Sequence, residues 1–318
     1  VLERFRHLLA IEPLSAEQIT FLLDQAKPFQ QIQRHPLKKL ATLRGKSVVL
    51  AFFEPSTRTR ISFGTAATRL GADSMSLQAA SSSLKKGESL IDTVHTLEAM
   101  KPDCIVIRHA ASGAAQFISE RVAVPVINAG DGLHEHPTQG LLDALTIRDR
   151  RGHLDGLHVT ILGDIFHSRV ARSNIHLLSK FGARITLCGP PMWIPPELEQ
   201  LAPGVCRSFS IEEALDGADV VMALRVQSER LNEPALPRDE YIRLFQLTRA
   251  RLARARPGAL VLHPGPMIRG LEIEPAVADG PQSCVLEQVT NGIAVRMALL
   301  YLLIGGTGSL EDLPHAPD

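Results

Sequence analysis

Two guanidiniums and three hydroxyls crowd the segment Glu54-Pro55-Ser56-Thr57-Arg58-Thr59-Arg60. It follows an apolar run, Ser47-Val48-Val49-Leu50-Ala51, and precedes an amphipathic one from Ile61 to Leu70. That order predicts strand, tight turn, helix. The first N–H groups of a helix have no intrahelical partner. With Ser56, Thr57, Arg58 and Thr59 beside them they would form a site for a phosphate. Ser56 is expected as the N-cap. Capping needs only one hydroxyl, and cations at a helix N-terminus oppose the macrodipole. Arg58 and Arg60 therefore cost stability there unless an anion is bound.

Other candidate groups also sit where apolar runs end. Asn128-Ala129-Gly130-Asp131-Gly132 leads into His134-Glu135-His136-Pro137-Thr138-Gln139, with a helix starting near Pro137. His134 and His136 could suggest a metal, but no further ligand cluster accompanies them. A hydrogen bond from one His to a carbonyl oxygen, with Gln139 on an amide, is more economical; a loop histidine of no consequence fits as well. Arg108-His109 ends the run Cys104-Ile105-Val106-Ile107. Gly163-Asp164 opens a second strand-to-helix turn, but only Gly163 of a GxGxxG pattern is present, so a dinucleotide is a poor reading. Ser168 as N-cap with Arg169 beside it suggests a carboxylate or phosphate ligand. Arg225-Val226-Gln227 ends Val220 to Leu224 and offers two planar donors suited to a carboxylate, or a solvated strand end. His263-Pro264-Gly265-Pro266 should form a rigid turn whose carbonyls could accept from an amine or amide. No nucleophile–base pair stands out, which favours a reaction run by positioning and charge stabilisation.

The elements that must position these groups alternate. Strands are expected at 47–53, 73–78, 104–107, 125–128, 158–162, 184–188, 219–224 and 259–262. Helices are expected at 15–33, 60–70, 88–100, 112–121, 138–150, 168–181, 211–215 and 238–254. Alternation implies parallel sheets covered on both faces. The fold class is thus α/β, and 318 residues suffice for two domains. Two sheets are preferred over one because Arg148 to Gly156 reads as a polar turn before a new strand. Asn291 to Ile304 is apolar nearly all round and should be buried, either closing back on the first domain or at an oligomer interface. Ala79 to Glu88 reads as a mobile surface loop.

Composition excludes several partners. Net charge is zero and aromatics are 4%, so neither nucleic acid nor an anionic membrane is expected. Cys104, Cys188, Cys206 and Cys284 form no CxxC pair; buried thiols at Cys104 and Cys188 are expected. With no secretory leader and no run near ~18 apolar residues, a reducing cytoplasm is the expected location.

Taken together, Phe53 to Arg60, Lys86-Gly87-Glu88-Ser89, Arg108-His109, His136-Pro137-Thr138-Gln139, Gly163-Asp164, Arg225-Val226-Gln227 and His263-Pro264-Gly265-Pro266 resemble the catalytic chain of the aspartate carbamoyltransferases. The match in order and spacing runs from about residue 45 to the last helix. The resemblance implies two mostly parallel sheets flanked by helices and joined by long interdomain helices. It implies a carbamoyl phosphate-binding domain at 1–137 plus 288–318 and an aspartate-binding domain at 138–287. The implied reaction, an early step of pyrimidine synthesis, converts carbamoyl phosphate and L-aspartate to N-carbamoyl-L-aspartate and phosphate without metal or organic cofactor. By position, Ser56, Thr57, Arg58 and Thr59 would hold the phosphate and Arg108 would reach phosphate and carbonyl. His136 and Thr59 would polarise the carbonyl oxygen and Gln139 would contact the carbamoyl amine. Arg169, Arg225 and Gln227 would grip the aspartate carboxylates, and carbonyls near Pro264 and Gly265 would orient the amines. Lys86 and a loop serine, Ser82 or Ser83, would come from a neighbouring subunit, making a homotrimer a requirement.

The related ornithine carbamoyltransferases usually lack the loop lysine and carry a cysteine in the turn held here by His263 to Pro266. A cationic ornithine tail would also be repelled by Arg225. The resemblance leaves room for a scaffold role toward a partner such as dihydroorotase, or for regulatory chains. Gly64 and Ile268 depart from the family pattern, which usually has Glu and Asn there. Glu54 is implied to pair with second-domain arginines on closure.

Overall fold

The computed structural model describes residues 6–36, 38–78, 89–226 and 236–305. They fall into two compact units, Val1–Leu141 with Thr290–Asp318, and Leu142–Val289. In the first unit α1 (Ala16–Arg34) is started by a capping box: the Ser15 hydroxyl accepts from Gln18 N–H, and the Gln18 side chain accepts from Ser15 N–H. There follow β1 (Ser47–Phe52), α2 (Thr57–Arg69), β2 (Asp73–Gln78), α3 (Leu90–Ala99), β3 (Cys104–His109), α4 (Ala114–Ser119), β4 (Val126–Asp131) and α5 (Pro137–Arg151). The four strands pair in parallel in the order β2-β1-β3-β4. Val48 to Phe52 is buried without alternation, as a strand covered on both faces must be.

The second unit holds β5 (His158–Leu162), α6 (Arg169–Ser179), β6 (Arg184–Cys188), two 3₁₀ turns, β7 (Val205–Ser208), α7 (Ile211–Leu215), β8 (Val220–Ala223), α8 (Arg238–Phe245), α9 (Arg249–Leu252), β9 (Leu260–Leu262) and α10 (Pro275–Ala278). Its sheet is also parallel, in the order β7-β6-β5-β8-β9. The last helix, α11 (Val285–Ile304), completes the chain order. The unit boundaries fall inside α5 and α11. Two doubly covered parallel sheets are the expected fold class.

Besides the short α10 and the 3₁₀ turns, which no expected helix covers, three elements depart from expectation. β7 was not foreseen, because Val-Cys-Arg-Ser is a half-buried edge strand with little apolar signal. The expected helix 238–254 is two: Leu247 leaves the helical path, its N–H donating to Glu272 O and its carbonyl accepting from Glu274 N–H. And α11 starts at Val285, six residues early. Its apolar part closes back on the first unit. Asn291 accepts from Gln30, Phe29 packs on Tyr301, and Ala294, Val295, Met297, Ala298, Leu299 and Leu300 are buried. Cys104 and Cys188 are buried thiols, and burial pushes Cys188 up to about 12. Among the described residues no helix is long and apolar enough to cross a membrane.

Candidate active site

In the first unit the chain passes from β1 outward to β2 and then returns across β1 to β3. The winding therefore reverses between β1 and β3. Ligands of open parallel sheets bind at the carboxyl ends of the strands at such a switch point. Phe52 at the end of β1 stands in register with Arg108 at the end of β3, and Phe53 N–H donates to Arg108 O at 2.8 Å. The Arg108 guanidinium is held on two sides. Nη1 donates to Ala129 O at 3.1 Å, and Nε faces Glu54 Oε2 at 3.5 Å in a mostly buried ion pair. The turn before α2, Arg108 and the end of β4 are thereby gathered in one place.

Ser56 occupies the N-cap position of α2 with extended backbone, but its side chain makes no capping bond, contrary to expectation. Nor does the first turn hold an acidic residue. Thr57 and Arg58 are exposed and Thr59 is buried. A helix mouth with no side-chain cap from Ser56, arginine in its first turn and no carboxylate there has the charge that suits an anion.

The loop that delivers His136 is fixed by buried carboxylates. Asn128 Nδ2 donates to Asp131 Oδ1 at 2.7 Å and to Leu9 O at 2.8 Å. Asp131 also accepts from Gly113 N–H and Glu135 N–H, and lies 3.1 Å from His134 Nδ1. Burial works to raise the Asp131 pKa, but the bonds from His134, Asn128 and Gly113 outweigh it and hold it below the ordinary value. His134 in turn is raised, chiefly by its bond to Asp131. Glu135 accepts from Ile11 N–H at 2.9 Å and Glu12 N–H at 3.0 Å. So His134 belongs to the scaffold of the loop, whereas His136 is buried with its Nδ1 3.5 Å from Thr138 Oγ1. Gln139 is buried in the first turn of α5. Among the described residues no group of three or more His, Cys, Asp or Glu could hold a metal.

In the second unit the winding reverses between β5 and β8. The two turns beyond those strands lie close: Leu224 N–H donates to Leu162 O at 2.8 Å. Gly163 has φ +115°, and a Cβ there would come within 3.1 Å of Leu224 O and 3.2 Å of the Tyr241 hydroxyl, so only glycine fits. Ser168 caps α6 as expected, accepting from Ala171 N–H at 3.1 Å. Arg169 follows as the first helical residue and is buried, a cation placed against the helix dipole. Arg225 follows β8 and is half-buried. Beyond β9, His263 Nδ1 accepts from Gly265 N–H at 2.9 Å, and the ring's other nitrogen meets Glu272 Oε1 at 3.1 Å. Gly265 has φ +65°, which suits a residue without a Cβ. Pro264 and Gly265 are half-buried.

Of the expected site residues, Ser56, Thr57, Arg58, Thr59, Arg108, His136 and Gln139 lie in the first unit, and Arg169, Arg225, Pro264 and Gly265 in the second. Ser82, Ser83, Lys86 and Gln227 lie outside the described residues. Sequence reasoning missed Arg296. Buried on α11, it donates to Ser62 Oγ at 2.7 Å and Thr138 Oγ1 at 3.4 Å, and lies over the Phe63 ring. It thereby staples α2 to α5. Its signal was a lone charge in the run Ile293 to Ile304. Glu272 and the Asp131–Glu135 pair were missed too, since a carboxylate in a loop gives no sequence sign of burial.

Comparison with known proteins finds two family models on this chain. "Aspartate/ornithine carbamoyltransferase, carbamoyl-P binding domain" matches residues 6–149, and "Aspartate/ornithine carbamoyltransferase, Asp/Orn binding domain" matches 155–303. The aspartate carbamoyltransferase catalytic subunit of Solibacter usitatus is 59% identical, covering 94% of this chain and 99% of that relative. The same subunit from Syntrophotalea carbinolica is 54% identical, covering 96% and 97%. Among solved structures, aspartate transcarbamoylase from Trypanosoma cruzi, in complex with carbamoyl aspartate and phosphate, has TM-score 0.85 at 30% identity. It covers 94% of this chain and 96% of that one. Ornithine carbamoyltransferase from Pyrococcus furiosus has TM-score 0.86 at 31% identity, covering 95% and 98%.

Proposed function

Since this chain belongs to the aspartate/ornithine carbamoyltransferase family, we propose that it transfers the carbamoyl group of carbamoyl phosphate to the amino group of L-aspartate. The products are N-carbamoyl-L-aspartate and phosphate. The backbone alone does not choose between aspartate and ornithine, because structures of both kinds superpose equally well. The observation that carries the choice is the pair of arginines at the second switch point. β5 and β8 are adjacent; Arg169 opens the helix that follows β5, and Arg225 lies just after β8. Two guanidiniums suit the two carboxylates of aspartate and oppose the ammonium of ornithine.

In this reading the dianion sits at the mouth of α2 on Ser56, Thr57, Arg58 and Thr59. The aspartate amine attacks the carbonyl carbon; a C–N bond forms and the C–O bond to phosphate breaks. Charge developing on the carbonyl oxygen is met by Thr59, Arg108 and His136, while Gln139 contacts the carbamoyl amine. The departing phosphate takes up the amine proton. Carbonyls of Pro264 and Gly265 orient the amines, and Gln227 with Lys86 completes the grip on aspartate. Lys86 and Ser82 would come from a neighbour in a cytoplasmic homotrimer. Relatives are named catalytic subunits, which supports assembly with further chains. The domains follow as 1–137 plus 288–318 for carbamoyl phosphate and 138–287 for aspartate.

A carbamoylation assay of the purified protein, with aspartate and ornithine as alternative acceptors, tests the reading. Ureido product and phosphate should appear with aspartate. Release of phosphate with ornithine alone would overturn the assignment.

A further inference from the structure

A buried chain of hydrogen bonds crosses the second unit, from the helix that carries Arg169 to the turn that carries Pro264 and Gly265. Asn174 on α6 donates from Nδ2 to Asp143 Oδ2 at 2.8 Å. Gln288 on α11 donates from Nε2 to Asp143 Oδ1 at 2.7 Å. His263 N–H donates to Gln288 Oε1 at 2.9 Å. Gly265 N–H donates to His263 Nδ1, and Glu272 Oε1 faces His263 Nε2 while accepting from Ile268 N–H. Asp143, Asn174, Gln288, His263 and Glu272 are all buried.

Every polarity in this chain is forced. A backbone N–H can only donate, so Gln288 must present its oxygen to His263 and its NH₂ to Asp143. The two oxygens of Asp143 each accept one of the amides. Gly265 N–H likewise makes His263 Nδ1 the acceptor, which puts the ring proton on Nε2 toward Glu272. Resting on the proposed aspartate reaction, we propose that Asp143 is a positioning residue for the amino-acid half of the site. Through Gln288 and His263 it fixes the Pro264–Gly265 carbonyls relative to Arg169. All the residues of these bonds belong to the second unit.

A charge swap tests this. Asp143→Asn leaves an NH₂ facing either Asn174 or Gln288, and turning Gln288 to match would set its NH₂ against His263 N–H. Gln288→Glu sets two carboxylates against each other. The double variant restores every polarity: Glu at 288 accepts from His263 and from the new Asn at 143, which accepts from Asn174. Each single variant should raise KM for aspartate about tenfold or more, the scale of a lost charged hydrogen bond. The affinity for inorganic phosphate should stay within about twofold, and the double variant should return KM to within about twofold of the parent. A role in stability alone would lower melting temperature and leave KM unmoved. Folded single variants with parental KM, or a folded swap no better than either single, would overturn the proposal. Where a single variant does not fold, the swap decides: parental KM supports it, and a raised KM or failure to fold overturns it. The parent is assayed first. If it does not carbamoylate aspartate, the reaction assignment fails, and the chain of polarities is then judged by whether the swap restores the unfolding stability lost in the single variants.

Discussion

Glu54 gives the sharpest test of how the first half-site is tuned. Its carboxylate lies 3.5 Å from Arg108 Nε, with both side chains under one-fifth exposed. At an effective dielectric near ~20 the bare attraction at that distance is about 5 kcal/mol. Desolvation and side-chain ordering reduce the net value to about 1–2 kcal/mol. The pair and the bond to Ala129 O together set the plane of the guanidinium. Glu54→Gln removes the charge and loosens one of these two anchors. A dianion in the ground state accepts a cation from many directions, whereas charge growing on one carbonyl oxygen needs a donor already aimed. Ordering a loosened arginine at the transition state costs about 1.4 kcal/mol, or tenfold in rate. Turnover should therefore fall about tenfold, while affinity for phosphate is unchanged or rises as the competing carboxylate is lost. Initial rates at saturating carbamoyl phosphate, with calorimetric titration of inorganic phosphate, separate the two. Unchanged turnover would refute the argument, as would phosphate affinity falling as far as turnover does.

Gly64 lies inside α2 with room around it; an added Cβ would meet only Leu50 Cδ1 at 3.8 Å and Ser74 Oγ at 4.0 Å. Gly64→Ala should therefore stabilise the chain by up to about 1 kcal/mol, read as a higher urea midpoint with activity retained. Glu135→Gln would turn an NH₂ toward Ile11 N–H or Glu12 N–H and should cost about 2–3 kcal/mol, measured by the same unfolding. For His134, whose pKa is raised by Asp131, the stabilisation is full below its unfolded value near ~6.5 and is lost as pH rises through the folded value. For Asp131, whose pKa is lowered, stabilisation is present above about 3.8 and is lost as pH falls through the folded value. The stability gap between parent and His134→Ala should thus be widest between about pH 4 and 6.5 and shrink above. A gap that grows with rising pH would count against the pair.

Most strands were legible because buried parallel strands leave runs such as Val48 to Phe52, and most candidate site groups were singled out because they follow such a run. What the chain did not reveal is tertiary. Leu247 interrupts a helical pattern because the 272–274 segment offers its N–H and carbonyl better partners than a helix would. Glu272, Arg296 and Asp143 look like ordinary solvated charges until their burial is known. Ser56 has the right type and place for a cap yet makes no capping bond. Strand order was the larger gap, and it carries the functional weight. A list of strand ends does not say which two are neighbours. The observed orders place the reversal between β1 and β3 in one sheet and between β5 and β8 in the other. Arg58 and Arg108 flank the first reversal, and Arg169 and Arg225 the second. Cations at both crevices, with no net charge on the chain to explain them, mean that positive charge is concentrated locally, at the two places where parallel topology opens the sheet.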